Sequence, residues 1–233
     1  MIFDPLWMGP IMWMIIIPMI LVPIICQMRL QSAYARYSKE PAECGLTGAE
    51  VAQQILDSEG LGNVSVEEVD GHLTDHYDPR DRTLHLSSDI YHGTSLAALG
   101  VAAHETGHAI QHKLAYAPLQ LRMSIIPITN FASGAAPILV LGGFFVPTAF
   151  KPLLDLAIIL FTFCVFFQLV TLPVEYDASR RAKDKLRAMG LITQREAVAV
   201  KSVLSAAALT YVAALVVAVL HLVRLLMIRN SRD

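Results

Sequence analysis

Four apolar stretches, each of a length that crosses a bilayer, constrain this chain more than anything else in it. Leu6–Met28 runs 23 residues without a charge, Ile125–Val146 and Ser202–Val223 run 22 each without Asp, Glu, Lys or Arg, and Leu153–Val174 runs 22 with Asp155 as its one charge. At a helical rise of about 1.5 Å per residue, such a stretch reaches roughly 34 Å, enough for a hydrocarbon core. In lipid, backbone N–H and C=O groups have to be paired internally, so blocks of this length are predicted to be helices. The first block reads as a signal-anchor. Asp4 is the one charge before it, no basic leader precedes it and no small-residue cleavage pattern follows. Pro10, Pro18 and Pro23 should bend it, which membrane helices tolerate when neighbours re-satisfy the backbone. The second and third blocks are separated by a short loop holding Lys151, with Asp155 close to that loop, and predict a helical hairpin. The fourth contains His221 and is followed by Arg224, so an amphipathic or core helix is the alternative to a fourth span.

Composition agrees. Only 16% of the residues are charged and 55% are hydrophobic, where soluble domains carry about 25% charged residues. That is too little charge to coat a soluble cytosolic enzyme, and it also excludes a disordered chain. The net charge of −2 and a pI near 6.4 supply no basic field for a nucleic acid. Cys26, Cys44 and Cys164 stand far apart with no C-x-x-C pair, so no disulfide framework is expected.

Two polar segments interrupt the apolar blocks. Within residues 29–120, Thr47-Gly48-Ala49-Glu50 is a T-x-x-E capping box that should start a helix with Val51, Ala52, Ile55 and Leu56 on one face, ended by Gly60. Val64-Ser65-Val66 opens a short strand, Asp78-Pro79-Arg80-Asp81 is a turn, and Thr83–Ser87 alternates as a second strand. Thr94 or Ser95 can cap a long helix reaching His112. Residues 175–201 are strongly basic, and Thr193–Glu196 is a second capping box leading into the last block. The basic residues after the first span and in 175–201 place both segments in the cytoplasm and the N-terminus outside; Arg229 and Arg232 in the tail oppose this weakly. The expected organisation is an anchor (1–28), a first polar part (29–123), the hairpin (124–174), a second polar part (175–201) and a fourth helix with its tail (202–233).

His104-Glu105-Thr106-Gly107-His108 is an H-E-x-x-H pattern within Ala97–Ile110, which is otherwise apolar or small. Residues four apart on a helix stand one above the other, so both imidazoles can reach one Zn²⁺. Glu105 then stands beside the first ligand as a general base. Gly107 reads as room for substrate or metal. A buried Glu and two buried His would be costly without a partner. A catalytic zinc site needs a third protein ligand and an open position. His112 follows one turn later, but it is about 12 Å along the axis from His104 and is expected to be a surface or supporting histidine. His72, His76, His85 and His92 stay possible, with no spacing to select one and solvated positions as the plain alternative. Glu175 is the better candidate. It stands at the exit of the third block, 67 residues after His108, where the hairpin returns to the same side. It is expected to open a helix running to Gly190, where a carboxylate suits the helix dipole; the alternative is a plain surface charge there. Asp177 is expected on the opposite face as an exposed charge.

An N-terminal anchor, His104-Glu105-Thr106-Gly107-His108, a two-span hairpin and then Glu175-Tyr176-Asp177-Ala178 together resemble the YugP-like bacterial membrane neutral zinc metallopeptidases. The order of motifs is also similar to that of HtpX-like and CAAX prenyl proteases, although Ser179 stands where the HtpX-like pattern has Asp. The resemblance implies a gluzincin: His104, His108 and Glu175 holding one Zn²⁺ per chain, and Glu105 as catalytic base. The implied fold is mainly α and integral to the membrane, with about four transmembrane helices and a zincin-like α+β metallopeptidase domain at the membrane surface. The implied activity is zinc-dependent endoproteolysis of unfolded or membrane-associated proteins at the bacterial inner membrane. Partners are then a protein or peptide substrate and the bilayer, with no nucleic acid; a homo-oligomer or membrane partner is not readable. Thr83–Ser87 is expected to be the sheet edge that receives an extended peptide, and Ser179 or a neighbour to support a ligand histidine. Arg181, His112 and Tyr176 are candidate oxyanion donors. Alternatives are a site-2-type intramembrane metalloprotease, which needs an Asp ligand from a later span, and an inactive membrane scaffold, which has no need of Glu105.

Overall fold

The structure, a computed structural model, describes residues 9–230; Asp4, the start of the first apolar block at Leu6 and Arg232 lie outside the described residues. In chain order the elements are α1 (Pro10–Tyr37), α2 (Gly48–Ser58), β1 (Ser65–Val69), β2 (His76–Asp78), β3 (Thr83–Ser87), α3 (Ser88–Tyr91), α4 (Leu96–Lys113), α5 (Ala117–Phe145), a 3₁₀ turn (Pro147–Ala149), α6 (Phe150–Ala188) and α7 (Glu196–Asn230). The protein is mainly helical with one small sheet. Among the described residues, α1, α5, α6 and α7 are long and apolar enough to cross a membrane. The fourth block therefore sits in a helix of spanning length despite His221, and α1 carries Pro18 and Pro23 without ending.

The chain divides into two compact units. Among the described residues, the first comprises 9–27, 121–172 and 210–230. Its small buried core is Phe150, Leu154, Leu225 and Ile228, packed against Met12, Val140, Ile158 and Phe161. Large apolar side chains such as Met14, Phe131, Ile138 and Phe145 point outward. Water would not tolerate so much of that surface, whereas lipid solvates it at no cost. In this unit Asp155 pairs with Arg229, and the His221 ring lies 4.6 Å from that of Phe161.

The second unit comprises residues 28–120 and 173–209. Thr47 and Glu50 cap α2 reciprocally, as their spacing predicts, and Ser95 caps α4 through the N–H of Ala98. The inward face of α2 shares one core with Leu84 and Leu86 of β3, Ile90 of α3, and Leu99, Ala102 and Ala103 of α4. Gly48 permits this contact, because a Cβ there would stand 2.2 Å from the carbonyl oxygen of Ile90. Further along the chain, Ala182, Leu186, Val200 and Leu204 complete the same core.

The sheet corrects one expectation. Its order is β1-β3-β2; β1 lies parallel and β2 antiparallel to β3, with Val66 and Tyr77 both opposite Leu84. Thr83–Ser87 is thus the central strand, hydrogen-bonded on both sides, and cannot be the receiving edge. The edges are β1 and β2. At three residues, β2 is too short to show alternation in the sequence. The turn at Asp78–Asp81 was its one signal, since a strand after a tight turn implies a partner before it.

Glu196 ties the two ends of this unit together. One carboxylate oxygen accepts from the N–H and hydroxyl of Thr193 at 2.8 Å each, forming the second capping box. The other accepts from the N–H of Glu43 at 2.7 Å. Glu196→Ala removes the cap and leaves a backbone donor without its acceptor, at a cost of about 1–3 kcal/mol. Thermal unfolding in detergent is expected to show a lowered midpoint, and an unchanged midpoint would contradict this role.

Candidate metal centre

α4 places His104 and His108 one turn apart, with their ring centroids 4.8 Å from each other. The helix is built for burial: Leu99, Ala102, Ala103, Ala109 and Ile110 fill its inner face. Into this setting α6 brings Glu175, which is 2% exposed. One oxygen of that carboxylate, Oε2, stands 3.2 Å from Nε2 of His104 and 3.6 Å from Nε2 of His108. A ligand atom from each of the three residues lies within 4.8 Å of the other two.

Gly107 makes the approach possible, for a reason different from the one expected. A Cβ on Gly107 would stand 2.7 Å from the carbonyl oxygen of Ala178 and 3.1 Å from its Cα. The missing side chain admits the backbone of α6 rather than a substrate. Glu175 also differs from expectation. It does not open a helix but lies well inside α6, which passes through Pro173 without a break. The helix dipole therefore contributes nothing at this position, and the carboxylate is held by its contacts alone.

The groups around the cluster orient it. Ser179 Oγ lies 3.1 Å from Nδ1 of His104, so this serine does support a histidine. Gln111, which lies outside the H-E-x-x-H pattern, stands 3.1 Å from Nδ1 of His108 through its Oε1. Its spacing of three from His108 was the available signal. Asp177 is not an exposed charge. Its side chain is only 13% exposed and accepts from Gln111, Arg180 and Arg181.

Glu105 is buried, and its Oε2 accepts a 3.1 Å hydrogen bond from the backbone N–H of Tyr77 in β2. The Tyr77 hydroxyl in turn lies 2.9 Å from Nδ1 of His112. His112 is therefore a supporting residue outside the cluster. The remaining histidines are engaged elsewhere: His72 near Asp89, His92 with Glu68, and His76 stacked on His85, which lies near Asp81. Of the candidate oxyanion donors, Arg181 is bound to Asp177 and Tyr176 is half-exposed.

The donor set suits zinc. With bonds of about 2.0–2.1 Å, tetrahedral ligand atoms stand about 3.3 Å apart, close to the separations seen between Glu175 and the two histidines. Two imidazoles and one carboxylate also leave a coordination position open. The electrostatics agree: burial opposes a charged His108 ring, yet its contact with Glu175 and the charges of Glu105 and Glu175 raise its pKa above the usual histidine value. This pocket favours positive charge. If α6 must sit against Gly107, Gly107→Ala will lower the zinc held per purified chain. Gly134→Ala, where an added Cβ meets nothing within 4 Å, serves as the control and should leave zinc content unchanged.

Comparison with known proteins places the chain in a family. Residues 12–230 match the family model described as "Putative neutral zinc metallopeptidase". The chain is 51% identical over 208 residues to "Putative membrane protease YugP" of Bacillus subtilis (strain 168), covering 89% of this chain and 92% of that protein. No solved structure matches the chain with significance. With the match running from the first apolar helix to the last, this chain belongs to the putative neutral zinc metallopeptidase family.

Proposed function

We propose that the chain is a membrane-embedded, zinc-dependent endopeptidase of the gluzincin type, with a zincin-like domain formed by the unit of residues 28–120 and 173–209. His104, His108 and Glu175 are the metal ligands and Glu105 is the general base. The convergence of these three ligand groups on one point, beside a buried Glu105, carries the reading. Family membership supports the metal, and the name of the Bacillus relative supports proteolysis at a membrane.

Zinc held there supplies Lewis acidity toward the scissile carbonyl and toward the attacking water. The rest belongs to the chain's own residues. Tyr77 N–H holds one oxygen of Glu105, which leaves the other to take the proton of the attacking water and return it to the leaving amine. Because that N–H points from β2 toward Glu105, the edge of β2 away from β3 borders the site, with the Tyr77 N–H itself already engaged. An extended peptide can add to it as a further strand, bound through its backbone. Such a mode selects flexible or unfolded segments of protein rather than one sequence.

The basic residues of 29–39 and 175–201 support a cytoplasmic location for the metal unit at a bacterial inner membrane, with the N-terminus outside. A site-2-type mechanism needs an Asp ligand from a later span, and Asp155 is paired with Arg229. An inactive scaffold has no use for a buried Glu105.

In detergent-purified protein, Glu105→Gln is expected to keep zinc while proteolysis of an unfolded substrate falls at least about 10²-fold. Unchanged proteolysis would sink the mechanism. Glu175→Ala is expected to lose zinc and His112→Ala to keep it; the reverse pattern would reassign the third ligand. Chelation should abolish activity in the wild type, and added zinc should restore it.

A further inference from the structure

Gln111 is fully buried, three residues beyond His108 on α4. Its amide nitrogen donates to the carbonyl oxygen of Val174 at 2.8 Å and to Oδ2 of Asp177 at 3.0 Å. Its carbonyl oxygen lies 3.1 Å from Nδ1 of His108. Both N–H donors and the oxygen are therefore used on three partners, two of them on α6. Val174 immediately precedes Glu175.

This arrangement permits one orientation of the amide. A flipped Gln111 would set its oxygen against a carbonyl and a carboxylate, which is repulsive in a buried site. With the nitrogen committed to Val174 and Asp177, the oxygen can only accept, so Nδ1 of His108 must carry the proton. In the neutral ring that a metal ligand must be, the lone pair is then on Nε2, the atom that faces Glu175. His104 has no such constraint from Ser179, whose hydroxyl can donate or accept.

We propose that Gln111 is a positioning residue of the metal site: it sets the tautomer of His108 and pins α4 to the Val174–Asp177 turn, so that Glu175 meets both histidines. The proposal rests on the metal-site reading above. Asp177 is the second member of the device. Held by Arg180 and Arg181, it gives the amide nitrogen a fixed negative partner.

The test is the zinc affinity of the full-length protein in detergent, measured by chelator competition, together with the visible spectrum of the cobalt-substituted form. Gln111→Met keeps the bulk and removes all three hydrogen bonds. It is expected to weaken zinc binding 10–100-fold and to alter the cobalt spectrum. Gln111→Glu alone is also expected to bind zinc less tightly, because a carboxylate then faces Asp177 and the Val174 carbonyl. Combining Gln111→Glu with Asp177→Asn exchanges the polarity of the pair at constant charge, and should return affinity and spectrum toward the wild type. A general packing role would give no such recovery. Wild-type affinity in Gln111→Met, or a double variant no better than Gln111→Glu, overturns the assignment while leaving the metal site standing. A wild type that takes up no zinc overturns both.

Discussion

The close approach of α4 to α6 at Gly107 is the contact on which the candidate metal site depends. Helices whose facing residues carry ordinary side chains pack with axes about 8–10 Å apart, and small residues let them come nearer. Here Gly107 faces the backbone of Ala178, so the helices meet with little between them. The working residues flank that contact on both sides. On α4 they are His104, His108 and Gln111; on α6 they are Glu175, Asp177 and Ser179. His104, Gly107, His108 and Gln111 follow the i, i+3, i+4, i+7 spacing of one helix face, as Glu175, Ala178 and Ser179 do over a single turn. Short side chains such as serine reach across only because the backbones are close.

A site of this kind has to offset the burial of many polar groups. Glu105, Glu175 and Gln111 are all buried, and each would cost several kcal/mol in an apolar interior without partners. The partners are specific: Tyr77 N–H for Glu105, the histidines for Glu175, and three separate atoms for Gln111. Those contacts satisfy hydrogen bonding, but two carboxylates remain within a small volume beside His108. A bound cation answers that residual charge, which is why the same pocket that strains against burial is suited to a metal.

Much of the architecture was legible in the residues. The apolar blocks announce their helices because length and hydrophobicity suffice, and the T-x-x-E boxes mark the starts of α2 and α7 because capping is a local event. The H-E-x-x-H spacing places two imidazoles on one face for the same reason. What the sequence concealed is non-local. The helix dipole assigned to Glu175 fails because Pro173 sits inside α6 rather than at its boundary, and only the packing around it decides between those outcomes. β2 is three residues long and takes its identity from pairing with β3. Asp177 looks like a solvated charge until Gln111 and Arg181 are brought against it. Gly107 invites a reading in terms of substrate until the backbone of Ala178 is seen to occupy the space.

The outer partners of the two histidines bear on the chemistry the pocket can support. Ser179 stands where the HtpX-like pattern carries an aspartate, and Gln111 supplies a second neutral contact. Imidazoles hydrogen-bonded to carboxylates become more basic and pass more charge to a bound metal. On the zinc reading, with a hydroxyl and an amide in those places, the histidines would stay closer to neutral ligands, and Glu175 would be the one formally charged member of the set. On the zinc reading, the ion would keep more of its charge for the open position. The negative charge that is present, on Asp177, is set one hydrogen bond further out and is countered by Arg180 and Arg181. There it orients Gln111 without adding to the ligand field. Geometry is thus enforced by a charged network, while the groups that touch the ligands remain neutral. That separation requires a residue able to accept on one side and donate on the other, and among side chains of this length only a primary amide does both from fixed atoms.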